Sequence, residues 1–348
     1  MLQERIEGKW LASFRRAFAL NGIGRDTSVI IIAETQSRPV LVHLAELACF
    51  DLGAEFSIIT VPTPPLDAPV PVKSTGACKA LRGMRPVVGA LKAADVVVDV
   101  TVEGLIHAPE WPEIEEAGAR LFTVCNEHPE ILERTEPRAE LAAKVEVGIA
   151  ALKQAKTMRV TSEAGTDLTI DVRGAACGGT PGFTTRPGGV AHWPGGLCLC
   201  FPGKNAINGR VVMDVGDQNL TFKTFLQNRV VLEVRNDYVT DIVGDNLDAE
   251  LTRDYLASWN DPEAYGFSHV GWGVNSGARW VSMALFDKRD MQATEFRAFA
   301  GNFLFSTGAN QYAGRFTEGH FDFPMRNCTV TLDDEVVVHK GILQGRFA

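Results

Sequence analysis

Two histidines and an aspartate in the last quarter of the chain have the types and spacing of a metal site. His320 and Asp322 stand two apart in Glu-Gly-His-Phe-Asp-Phe-Pro (318–324). In a β-strand, residues i and i+2 point to one face. An imidazole and a carboxylate would then lie side by side, as two ligands of one ion must. A third candidate, His269, lies in Phe-Ser-His-Val-Gly-Trp-Gly (267–273). Two His and one carboxylate with coordination positions left open form the facial set of non-haem Fe(II) oxygenases. A lone His-x-Asp also arises by chance, and spacing does not by itself bring residue 269 to residue 320.

The chain has seven histidines. His43 sits in an apolar helical stretch and reads as structural. His128 precedes Pro129 at a helix start and reads as a cap. His339 follows three valines and reads as a sheet-edge residue. His107 follows Gly104-Leu105-Ile106, just past an apolar strand, and open α/β sheets bind ligands at the carboxyl ends of their strands. His192 lies in Pro-Gly-Gly-Val-Ala-His-Trp-Pro-Gly-Gly (187–196), which reads as a loop, and such loops often line sites. For either residue a hydrogen-bonded structural role is the plain alternative. Seven cysteines without a Cys-x-x-Cys read as reduced thiols. Cys198 and Cys200 alternate with Leu197 and Leu199, which puts them in a strand core, with a soft-metal site as the weaker alternative.

These residues need a scaffold, and 348 residues suffice for two domains. Helical periodicity at 2–20 leads into Thr-Ser-Val-Ile-Ile-Ile-Ala-Glu (27–34), a continuous apolar run of the kind that forms buried parallel strands. Further helices are expected at 39–51, 75–93 and 137–156. Strands are expected at 55–61, 95–101 and 120–124, with a Pro-rich loop at 62–72. This alternation predicts an α/β N-terminal domain with a mainly parallel sheet over residues 1–155. After residue 156 the texture changes. Residues 158–172 read as a hairpin turning at Gly165. Strand-like pieces follow near 209–215 and 229–242. A helix is expected at 246–257, capped by Asp245 and with Leu247, Leu251 and Leu256 as its apolar face. Residues 156–348 are expected to form an α+β domain that carries the metal ligands.

Composition narrows the partners. A net charge of −9 without a basic run argues against nucleic acid. No apolar run reaches the roughly 18 residues that span a bilayer, and the N-terminus has no signal-peptide pattern, so a cytoplasmic protein is expected. No Gly-x-Gly-x-x-Gly follows the first strand, which leaves a nucleotide site without support.

Five segments carry a resemblance. They are Gly165-Thr166-Asp167-Leu168, Trp193-Pro194-Gly195-Gly196, His269 to Gly273, Gly301 to Gly308, and His320-Phe321-Asp322. On them the chain resembles the M29 metallo-aminopeptidases and, more closely, their non-peptidase relatives, the 2,5-dihydroxypyridine 5,6-dioxygenases of nicotinate degradation. The resemblance covers most of the chain and is most specific over 265–326. M29 peptidases bind two metals through two Glu, two His, a Tyr and an Asp. Here Leu197 takes the place of their first Glu, His269 that of their second, and Leu304, Phe305 and Ser306 fall where their first His lies. A one-metal set remains. The dioxygenase branch implies Fe(II) held by His269, His320 and Asp322, with Ser306 as a nearby hydroxyl or weak ligand. It implies His107 and His192 as substrate-pocket histidines that move a proton. Leu105, Trp193 and Phe305 are expected as an apolar wall, with core packing as the alternative. The implied reaction inserts O2 between C5 and C6 of 2,5-dihydroxypyridine and gives N-formylmaleamate. The resemblance also favours a homo-oligomer. A hydrolase of the peptidase branch, a dioxygenase for another hydroxylated ring and a non-catalytic binding protein remain alternatives.

Overall fold

The computed structural model describes residues 5–65 and 78–348. A five-stranded parallel sheet has the spatial order Glu55–Val61, Ser28–Glu34, Val96–Asp99, Arg120–Val124, Val190–Trp193. Its inner strands are apolar on both faces because helices cover both. Gly8–Leu20 and Pro39–Leu52 pack with Val29, Ile31, Val96 and Val98. Arg85–Lys92 and Trp111–Glu116 pack on the other face with Ile32, Val97 and Leu121.

The strand and helix expectations for this half hold, with three corrections. The helix expected from residue 2 begins at Gly8, and residues 2–4 lie outside the described residues. The helix expected from 75 begins at Arg85, and residues 75–77 lie outside the described residues. Pro86 explains the late start, because its ring would clash with a helical carbonyl four residues earlier. The expected Pro-rich loop at 62–72 is described only to residue 65. His192, expected in a loop, lies on a strand. Val-Ala-His-Trp joins the sheet edge in parallel register with Leu121–Val124, and the flanking Gly and Pro residues bound this strand without interrupting it. The first sheet is therefore completed by residues well beyond 155.

The second half is mainly antiparallel. The hairpin around Gly165 forms, with Thr157–Thr161 against Asp167–Asp171, inside an eight-stranded sheet. A second sheet has the order Arg315–Met325, Phe303–Asn310, Phe267–Gly273, Leu197–Phe201, Ala176–Thr180. One of its faces is core: Cys198, Cys200, Val270, Trp272, Phe303, Phe305, Phe321 and Phe323 are buried together. The helix Ala139–Gln154 packs against this face. The helix Leu247–Ser258 is capped by Asn246, whose side chain accepts the Ala249 N–H, and not by Asp245. Leu247 is exposed and Ala249, Thr252, Tyr255 and Leu256 form the buried stripe.

At Gly148 the helix Ala139–Gln154 lies so near the sheet that a Cβ there would run into Cys198 Sγ. Gly148→Ala should lower stability by about 1–3 kcal/mol through overpacking, read as a shifted midpoint in urea unfolding. Cys198→Ala in the same chain should recover part of the loss. An unchanged midpoint for the single variant would contradict this packing.

Candidate metal centre

The other face of the second sheet builds the site. Alternation places Leu197, Leu199, Phe201, His269, Leu304, His320 and Asp322 on it. His320 and Asp322 are on one strand and His269 is two strands away. Two strand spacings are about 9.5 Å, yet the donors meet because the middle strand offers small residues. Gly308 lies opposite His320 and Ser306 opposite Asp322, so the flanking side chains can lean over them. A β-bulge between Phe267 and Val270 re-aims His269, and its freed N–H donates to Ser306 Oγ at 3.2 Å.

Asp322 is the centre of the cluster. Its Oδ1 lies 3.4 Å from His269 Nε2 and 3.3 Å from His320 Nε2, and donor atoms of the three residues all fall within 4.8 Å of one another. Two ligands of one ion, each about 2.1 Å from it at right angles, stand about 3 Å apart. Oδ1 is buried without a hydrogen-bond partner, while Oδ2 accepts from Arg297 Nε at 2.6 Å. A buried, ionised oxygen between two imidazole nitrogens is the position of a cation, so these residues fit a single metal ion. Among the described residues no other group of His, Cys, Asp and Glu converges in this way. Burial alone would raise the Asp322 carboxyl, but Arg297 and the two imidazoles hold it well below the usual carboxylate range. Burial lowers His269.

The parallel sheet closes the site. His107 sits on a single 3-10 turn, Leu105–His107, past the strand Val96–Asp99, and its ring centroid is 5.5 Å from that of His320. Asp99 fixes this turn. Its carboxylate accepts from Thr101 N and Oγ1, Leu105 N and Thr123 Oγ1 at 2.6–2.9 Å. Gly104 takes the positive φ of +85° that the turn requires. His192 Nδ1 is 2.7 Å from Pro194 O. A carbonyl only accepts, so Nδ1 carries the proton and Nε2 is an acceptor. Burial pushes His107 down to about 3 and His192 down to about 4, so both are neutral rings at pH 7. Together the two halves enclose a cavity of about 230 Å3. A cavity of roughly 150 Å3 admits benzene, so one substituted six-membered ring fits.

Several expected site residues stand elsewhere. Trp193 points away from His192, as strand neighbours must, and packs on Phe14 and Phe122 with its N–H on Leu132 O. Phe305 is stacked between Phe267 and Phe323 in the core. Leu105 is fully buried among the helices of the first domain. The apolar wall is formed instead by Ile106, Leu197, Leu199, Phe201 and Leu304. Ser306 accepts the His269 backbone N–H and lies outside the cavity lining. Sequence reasoning missed Arg297, Asp99 and Glu127. Glu127 is buried and accepts from Gln292 N and Thr294 N at 3.0 and 2.7 Å, which ties the segment leading to Arg297 onto the first domain. An acid at the end of an apolar strand was a legible signal for Asp99. Arg297 had none.

Residues 9–345 match the family described as NicX, 2,5-dihydroxypyridine 5,6-dioxygenase. The chain belongs to the 2,5-dihydroxypyridine 5,6-dioxygenase family. It is 36% identical over 334 residues to the 2,5-dihydroxypyridine 5,6-dioxygenase of Pseudomonas putida KT2440, with 94% of each chain covered. A solved structure of 2,5-dihydroxypyridine dioxygenase from Pseudomonas putida KT2440 superposes with a TM-score of 0.91 at 35% identity, over 97% of both chains. AmpT from Thermus thermophilus superposes at 0.67 with 13% identity, over 97% of this chain and 99% of that one, which shows the shared fold. The fold of the family is thus that of the M29 aminopeptidases, here with an α/β half and a mainly antiparallel half.

The tautomer at His192 is open to direct measurement. Nitrogen-15 NMR of the ring should show a neutral Nδ1–H imidazole at every pH from about 5 to about 8, because burial depresses its pKa below that window. A protonation midpoint near 6.5 would contradict the effect of burial on the ring, and an Nε2–H tautomer would contradict the hydrogen bond to Pro194 O.

Proposed function

We propose that this protein is a mononuclear non-haem Fe(II) dioxygenase that opens 2,5-dihydroxypyridine between C5 and C6 to N-formylmaleamate, in the catabolism of nicotinate and related pyridines. The observation that carries the reading is the Asp322 oxygen left unpartnered between two imidazoles, at the floor of a cavity sized for one ring. Membership of the dioxygenase family supports the ring and the reaction. His269, His320 and Asp322 would hold the ion. When bound, Fe(II) would supply Lewis-acid activation of a ring oxygen and the redox chemistry that O2 requires.

The chain's own residues do the rest. His192 Nε2 accepts a hydrogen bond from a ring hydroxyl. As negative charge develops on that oxygen, it offsets the desolvation that holds the imidazole neutral, and His192 takes up the proton. His107, neutral and fixed by the Asp99 turn, bounds the ring on the side of His320. Ile106, Leu199, Phe201 and Leu304 grip the ring faces and keep water out, which holds the reacting groups in one orientation. Ring and O2 combine without loss of atoms, so the product is the substrate plus both oxygens. Leu197 lies on the cavity wall, where a peptidase of this fold would need a carboxylate. We read the enzyme as cytoplasmic, consistent with seven unpaired thiols, and as a homo-oligomer, as the family resemblance favours.

Anaerobically iron-loaded protein should consume one O2 per 2,5-dihydroxypyridine and give a product heavier by two oxygens. Peptide cleavage without O2, or activity supported by zinc alone, would overturn the proposal. His320→Ala should lose iron while keeping the native circular dichroism spectrum. Stoichiometric iron in that variant would remove His320 from the ligand set. His192→Ala should keep its iron and lose about 100-fold or more in turnover, and normal turnover would remove it from proton transfer.

A further inference from the structure

We infer that Arg297 makes Asp322 a one-oxygen ligand and bars a second metal ion from the site. The inference rests on the metal reading above and concerns a residue which that reading does not use. Arg297 lines the same cavity as the three ligands. Its Nε donates to Asp322 Oδ2 at 2.6 Å, and its terminal nitrogen is 3.4 Å from Thr294 Oγ1. The backbone beneath it is pinned at both ends. Glu127 holds Thr294 N at 2.7 Å, and the buried Asn302 amide donates to Phe296 O at 2.8 Å and Arg297 O at 3.0 Å. The guanidinium therefore has little freedom to leave the carboxylate.

Two consequences follow from the geometry. A carboxylate whose Oδ2 lies in a charge-assisted hydrogen bond presents only Oδ1 to an ion. The coordination position that a chelating carboxylate would fill stays open for a ring oxygen, O2 or water. The guanidinium is also a cation that does not lose its proton. It occupies the side of Asp322 from which a second divalent ion would bridge, and it repels such an ion. One carboxylate, one divalent ion and one guanidinium leave the centre with a net positive charge, which favours a ring ligand bound as its oxyanion. Arg297 is a positioning residue here, because it acts through Asp322.

The test uses Mn2+ as the probe, with water-proton relaxation counting the labile waters on the ion and equilibrium dialysis counting ions per chain. Wild-type protein should bind one Mn2+ per chain. Arg297→Met should bind Mn2+ about tenfold tighter or more, because a repelling charge is gone. It should carry one labile water fewer, because Asp322 then chelates with both oxygens, and its turnover with Fe(II) should fall. Tighter metal with slower turnover is not the signature of a loosened fold. Arg297→Gln is the second variant. Its amide nitrogen stands as many bonds from the backbone as Arg Nε, so the N–H to Oδ2 is retained without the charge. It should bind metal tighter yet keep the wild-type number of waters. An unchanged water count and affinity in Arg297→Met, or the same loss of water in both variants, overturns the inference while leaving the metal reading in place. Wild-type protein that takes up no Mn2+ overturns both.

Discussion

A buried carboxylate that must stay ionised is the constraint on which this structure depends. Asp322 is 5% exposed, and an isolated charge at that depth would neutralise itself by taking up a proton. It is held charged by a guanidinium on one oxygen and by two imidazoles facing the other. Around it the second sheet is arranged by side-chain size. Small residues on the middle strand let the candidate ligands of both flanking strands converge, and a bulge turns His269 inward. The opposite face of the same strands carries the phenylalanine stack that keeps the sheet rigid.

The two halves of the protein meet at this carboxylate through two further buried acids. Asp99 folds the turn that brings His107 beside His320. Glu127 binds the segment that delivers Arg297. Gln292 spans the same seam, accepting from Asn126 N and donating to Glu103 O. His107 and His192 thus come from the half built on the parallel sheet and the candidate metal ligands from the antiparallel one, yet hydrogen bonds to backbone groups fix their separation, as precise placement of reacting groups demands.

Much of this was legible in the residues. Continuous apolar runs announced the parallel sheet, because a strand covered on both faces has no polar side. His320 and Asp322 announced a shared face through a spacing of two, and His269 stood out as a third candidate that the resemblance then joined to them. The failures were also failures of geometry. Trp193 and Phe305 were expected on the apolar wall, yet each adjoins in sequence a residue that lines the cavity, His192 and Leu304. Strand alternation sends such neighbours to the opposite face, and that rule could have been applied with no structure. His192 looked like part of a loop because glycine and proline surround a four-residue strand. Arg297 was beyond reach, since its partner lies on a different element and no local pattern links residue 297 to residue 322.

One ion held by three side chains, with Arg297 retained on the second oxygen of Asp322, is the central claim. Crystals grown anaerobically with ferrous iron, and measured on both sides of the iron absorption edge, test this most directly. A single anomalous peak per chain is expected, within bonding distance of His269 Nε2, His320 Nε2 and Asp322 Oδ1, with Arg297 still on Oδ2. Two peaks, or one peak elsewhere, would contradict it.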